Sequence, residues 1–171
     1  MKDVTIRWAA FQGMCVAPRV GIRMPITDRG GFVGLQKVRG SCLCGEIVYE
    51  VDVVAEQILS CHCTRCQKAH GAAFATQAFA RGETLVFLKG ESFLHEYKTE
   101  SGSRSFCSIC GSRLMNFAEN KADYLSVALA CVDGETDLKP AANICIETKA
   151  AWHVPSSTPP SFEGFPKEIP Q

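Results

Sequence analysis

A chain of 171 residues, 46% of them hydrophobic, has apolar side chains for one modest core and little more, which points to a single main domain. The formal net charge of +0 hides an uneven distribution: residues 1–40 hold seven Lys or Arg against two acids, leaving 11 basic and 16 acidic residues beyond. An acidic body disfavours a phosphate-backbone partner, and residues 1–40 contain no apolar run of the kind a signal peptide or membrane span needs, so neither nucleic acid nor membrane is an expected partner.

In chain order, residues 1–36 form a basic arm, with Arg7, Arg19, Arg23 and Arg29 against Asp3 and Asp28. Its lack of Ser argues against a transit peptide, and the arm is read as a disordered extension or an over-early start, with Met24 an internal alternative and Cys15 coordinating nothing. The domain is assigned to residues 37–166 and a short tail to 167–171. After Cys42-Leu43-Cys44-Gly45, Ile47, Tyr49, Val51 and Val53 alternate with Glu46, Glu50 and Asp52, which predicts a strand leaving that turn. Thr64 to His70 predicts a short helix stopped by Gly71, with Cys66 near its start, where a thiol pKa is lowered. Further short strands are predicted at 74–80, 84–88, 93–98, 123–130 and 143–148, giving a mainly β, antiparallel architecture with one or two helical turns.

Seven of the ten cysteines fall into tight clusters: Cys42 and Cys44; Cys61, Cys63 and Cys66; Cys107 and Cys110. Thiolates one or two residues apart can aim their sulfurs at a common point about 2.3 Å from a Zn²⁺ but are poorly placed to bridge each other. Disulfides would also require secretion, whereas a reducing cytoplasm is the expected setting here. Gly45 and Gly111 turn the first and last clusters into knuckles, since Gly permits the positive φ that points backbone N–H groups at sulfur. Two knuckles supply four ligands, so Cys42, Cys44, Cys107 and Cys110 read as a closed structural zinc site, although 62 residues separate Cys44 from Cys107. Cys61, Cys63 and Cys66 offer three thiolates, the ligand count of a catalytic zinc with an open position. Spacing alone also allows a knuckle cysteine, His62 or His70 to complete the second site. Cys131 and Cys145 lie in apolar runs and read as small buried hydrophobes, while His70, His95 and His153 read as surface or satisfied core residues.

The motifs Gly40-Ser41-Cys42-Leu43-Cys44-Gly45, then Cys61-His62-Cys63-Thr64-Arg65-Cys66-Gln67-Lys68 with Gly71 and Phe74, then Phe106-Cys107-Ser108-Ile109-Cys110-Gly111-Ser112 resemble the glutathione-dependent formaldehyde-activating enzymes, whose domain is shared with centromere protein V. Trp152 and Phe162-Glu163-Gly164-Phe165-Pro166 resemble the end of that domain. The resemblance implies a β-tent fold and two zinc ions per chain, structural on Cys42, Cys44, Cys107 and Cys110 and catalytic on Cys61, Cys63 and Cys66. It also implies a carbon–sulfur lyase that reversibly joins glutathione to formaldehyde as S-hydroxymethylglutathione, or acts on a related thiol adduct. A non-catalytic zinc module that binds glutathione or a protein partner is the alternative. Asn143 stands where many members carry His. Arg65 and Lys68, flanking Cys66, are the residues expected to hold the carboxylates of glutathione.

Overall fold

The computed structural model describes residues 34–100, 102–119, 121 and 124–166; most of the basic arm, Cys15 and the tail 167–171 lie outside them. Strand β1 (Leu35–Ser41) runs antiparallel to β2 (Val48–Cys61), pairing from Leu35 with Val54 to Ser41 with Val48. The alternation read from the sequence holds in the first half of β2, where Tyr49, Val51 and Val53 are fully buried on one face and Glu50 and Asp52 are half-exposed on the other. Beyond Val53 the register against β3 (Ala75–Ala80) shifts, and Ile58, Leu59, Ser60 and Cys61 are all buried. That run loses its alternation because both strand edges and both faces are covered, as in any strand deep in a sheet.

The other elements are α1 (Thr64–His70), β4 (Val86–Lys89), β5 (Leu94–Thr99), β6 (Gly102–Cys107), β7 (Arg113–Phe117), β8 (Leu125–Ala128) and β9 (Ala142–Ile144). One open sheet runs in the order β1-β2-β3-β8-β7-β6-β5, with β4 and β9 also pairing to β2. Its pairings are antiparallel except β2 with β9, which is parallel. The mainly β expectation is correct, and α1 ends where expected, at Gly71 with φ 60 and its N–H on the Gln67 carbonyl.

Three features of the sheet escape the periodicity reading. Strand β1 starts at Leu35, inside the arm boundary drawn at residue 36. Strand β6 hides because Ser103, Arg104 and Ser105 are inside, and β7 hides because Leu114, Met115, Asn116 and Phe117 are buried in succession, which leaves no alternation to read. Apolar alternation finds strands that bury hydrophobes, and β6 buries hydroxyls and a guanidinium instead.

The core divides into two apolar clusters, and each carries one cysteine group. Tyr49, Ile47, Val51, Leu114 and Val127 pack with Cys42 and Cys107, whereas Leu59, Ala75, Phe79, Ala142 and Ile144 pack with Cys61, Cys63 and Cys66. The sulfurs are thus held by packed side chains as well as by backbone turns.

Candidate functional site

Cys42 and Cys44 follow β1, Cys107 ends β6, and Cys110 lies in the turn to β7; their four sulfurs lie within 4.8 Å of one another. Sulfurs bound at about 2.3 Å around a tetrahedral Zn²⁺ stand about 3.8 Å apart. The Cys42–Cys44 and Cys44–Cys107 separations, 3.5 and 3.9 Å, bracket that value and are far from a disulfide bond. Gly45 and Gly111 have φ of 71 and 76°, as knuckles require. The Ile47 N–H donates to Cys42 Sγ at 3.2 Å, and the Leu43 N–H donates to Ser112 Oγ at 2.9 Å, tying one knuckle to the other. The donor set fits a closed zinc site.

The second group consists of Cys61 at the end of β2, Cys63 as the N-cap of α1 and Cys66 inside the helix, again with all sulfurs within 4.8 Å. Among the described residues no His, Asp or Glu joins it. The buried arrangement and three soft donors fit a zinc ion with one position left for another ligand. The expectation of a lowered Cys66 pKa is reversed. Cys63 is the sulfur held low, at about 2, by hydrogen bonds from Cys61 and Cys66 and by the backbone N–H groups of Cys66 and Arg65. For Cys66, the bond with Cys61 lowers the value, but the bond with Cys63 and burial outweigh it and push it up to about 11. The N-cap sulfur faces the free amides of the first turn, so it takes the charge.

His62 points away from both groups. It is 1% exposed, stacks on His153 at 5.5 Å and lies 5.0 Å from Phe74. Its Nε2 is 3.2 Å from Asn143 Oδ1. Asn143 Nδ2 faces the Ser156 and Pro159 carbonyls and Ser161 Oγ, so its amide is oriented with Oδ1 toward His62, which therefore carries its proton on Nε2. Asn143 is thus a buried clamp on the C-terminal segment. Cys131 donates to the Arg113 carbonyl at 3.2 Å, and Cys145 is fully buried in the apolar cluster with Leu59, Phe79 and Ile144, as its reading as a small hydrophobe expects. His95 lies against Phe106.

A cavity of about 850 Å³ opens beside the three-cysteine group. Tyr124 joins the two, since it packs against the Cys61, Cys63 and Cys66 cluster and also lines the cavity. Helix α1 contributes Arg65, Lys68 and Ala69 to the wall, so the two cations singled out in the sequence do face it, both as exposed residues at its rim. Strands β5 to β7 contribute Arg104, Arg113, Asn116 and the rings of Phe106 and Phe117. Nothing local in the sequence distinguishes the guanidiniums of Arg104 and Arg113 from surface ones; their placement depends on β6 and β7, the strands that periodicity misses.

Polar side chains below the cavity form a directed chain. Arg113 can only donate, and its Nη2 does so to Asn116 Oδ1 at 2.9 Å. Asn116 Nδ2 then donates to Gln77 Oε1 at 2.9 Å, which leaves Gln77 Nε2 as the donor to His70 Nε2 at 3.3 Å. Burial, together with the charges of Arg113 and Arg104, pushes His70 down to about 4, so it is the neutral acceptor this chain needs.

A family profile described as glutathione-dependent formaldehyde-activating enzyme matches residues 37–148. The chain belongs to this family. A Halomonas elongata protein, provisionally named a glutathione-dependent formaldehyde-activating enzyme, is 27% identical over 142 residues, which cover 77% of this chain and 90% of that protein. A crystal structure of a Rhodobacter sphaeroides protein, 24% identical, covers 58% of this chain and 91% of that one with a TM-score of 0.49. The family match contains all seven clustered cysteines, and it ends before the segment that Asn143 clamps.

Proposed function

We propose that the protein is a zinc-dependent carbon–sulfur lyase that reversibly forms S-hydroxymethylglutathione from glutathione and formaldehyde, or acts on a closely related thiol adduct. The observation that carries this reading is the juxtaposition of a three-sulfur group, joined by no further His, Cys, Asp or Glu among the described residues, with a cationic cavity of small-molecule size. Cys61, Cys63 and Cys66 would hold the catalytic zinc; Cys42, Cys44, Cys107 and Cys110 would hold the structural one. When bound, the catalytic zinc supplies an electrophilic centre that can keep a thiol sulfur as thiolate or polarise an aldehyde oxygen.

The chain's own residues supply orientation and exclusion of water. The Cys66 N–H fixes Cys63 Sγ at 3.4 Å, and Gln67 Nε2 donates to the His62 and Thr148 carbonyls at 2.6 and 2.9 Å, pinning α1 to the loop after β9. Phe106 and Phe117 give the cavity apolar walls, while Arg65 and Lys68 attract the carboxylates of glutathione at its mouth. Zinc-loaded protein should speed the interconversion of glutathione plus formaldehyde and their adduct above the spontaneous rate, measured by NMR exchange, and Cys63→Ser should return the rate to that of buffer. An unchanged rate with both metals bound would sink the lyase reading and leave a zinc module that binds glutathione or a protein partner.

A further inference from the structure

The floor of the cavity holds a charge that the described residues leave unbalanced. Arg104 is 9% exposed, lines the cavity, and its Nη1 is buried with no hydrogen-bond partner among the described residues. Arg113 stands beside it, anchored by Nη1 on the Ser105 carbonyl at 3.1 Å and by Nη2 on Asn116, yet its Nε is also buried and unpaired. Among the described residues neither guanidinium lies in a salt bridge. Of the residues lining the cavity, Arg65, Lys68, Lys98, Arg104 and Arg113 are cationic and only Glu100 is acidic, and Lys98 is engaged by Glu96.

Burying a guanidinium without a partner is costly, and two side by side repel, so such a pair persists where something else supplies the opposite charge. The cysteine group can supply only part of it. Three thiolates around one Zn²⁺ carry a net charge of −1, against +2 on Arg104 and Arg113, so one positive charge remains at the floor before the rim cations are counted. The free donors point to a planar acceptor, and a guanidinium fork matches a carboxylate.

We propose that Arg104, steadied by Arg113, is the carboxylate anchor of the site, so that the substrate is a thiol bearing a carboxylate that reaches the cavity floor while its sulfur lies at Cys61, Cys63 and Cys66. This rests on the lyase reading for the position of the sulfur, but it moves the specificity contact from the exposed rim, where the sequence places it at Arg65 and Lys68, to the buried β6 strand. Arg113 is the positioning residue of the pair: the chain through Asn116 and Gln77 to His70 fixes its plane. Neutral thiols and thiols with esterified carboxylates would be rejected because they leave Arg104 Nη1 and Arg113 Nε without an acceptor and both charges without a counter-charge.

The test uses full-length zinc-loaded protein and calorimetric titration with S-methylglutathione and its diethyl ester. The capped sulfur removes any dependence on turnover, so a failed exchange assay and a failed titration identify different errors. The acid should bind at least about tenfold tighter than the ester, the scale of a charge-assisted hydrogen bond. Arg104→Gln should abolish most of that preference with zinc content and circular dichroism unchanged, whereas Arg65→Gln should alter it by less than about threefold, as screened rim charges do. If Arg104→Gln fails to hold zinc, Arg104→Lys keeps the charge without the fork and should lose at least about threefold. Equal binding of acid and ester, binding of neither, an undiminished preference in the Arg104 variants, or a larger effect at Arg65 than at Arg104 would each overturn the assignment.

Discussion

Cys63 occupies a position where two demands meet: its sulfur caps α1 and also faces Cys61 and Cys66. On the proposed metal assignment, replacing it removes a ligand of an open site, whereas replacing Cys42 opens a closed one that joins two distant turns. Cys63→Ser should therefore abolish exchange activity with a smaller fall in melting temperature than Cys42→Ser causes, measured by calorimetry on zinc-loaded samples. Equal destabilisation would make both groups scaffolds. Asn143 makes the second residue-scale prediction. Truncation to Ala strands the buried His62 Nε2 and releases the Ser156 and Pro159 carbonyls and the Ser161 hydroxyl, at a cost of about 1–3 kcal/mol in urea unfolding. The seven clustered cysteines were legible from spacing because ligand geometry is local within each cluster. The contacts of His62 were not, since its partner Asn143 is 81 positions away.

Elements meet in the polar chain from β7 through β3 to α1. The folded-state pKa of His70 is about 4, below the ordinary 6.5, so the unfolded chain takes up the proton first as pH falls. Its contribution to stability is complete above pH 6.5 and is lost as pH drops through the window down to about 4. Allowing for partial exposure, the loss should be about 2 kcal/mol, and His70→Asn should flatten the stability profile across that interval by a similar amount, read by urea unfolding at each pH. A parallel profile in parent and variant would show that His70 does not titrate with unfolding. Element existence was readable wherever one face was apolar: α1 and the first half of β2 fall where periodicity puts them. It failed at β6, whose buried side chains are polar and gain their partners only once β7 and the cavity are in place.

At the scale of the molecule, the four-cysteine group pins the β1–β2 turn to the β6–β7 turn across 62 intervening residues. Closing so long a loop costs chain entropy that a metal crosslink offsets, so chelation should lower the melting temperature sharply and cooperatively, with elemental analysis showing about two zinc ions per chain beforehand. A melting curve unmoved by chelation would argue that the apolar clusters alone hold the sheet. The meeting of the two distant knuckles was a long-range expectation that the grouping of the four sulfurs matches, while spacing alone had left open what completes the second group.

Strand β6 has Arg104 within it and Cys107 at its end, so one short strand carries both the candidate anchor and a member of the four-cysteine group. If that group holds the proposed structural metal, a chain folded without it would present a loosened β6 and an ill-placed guanidinium. On the proposed reaction such a molecule is silent, not sloppy: it would fail to capture the thiol before it could mishandle a reactive aldehyde, and scarcity of metal would be felt as loss of substrate grip.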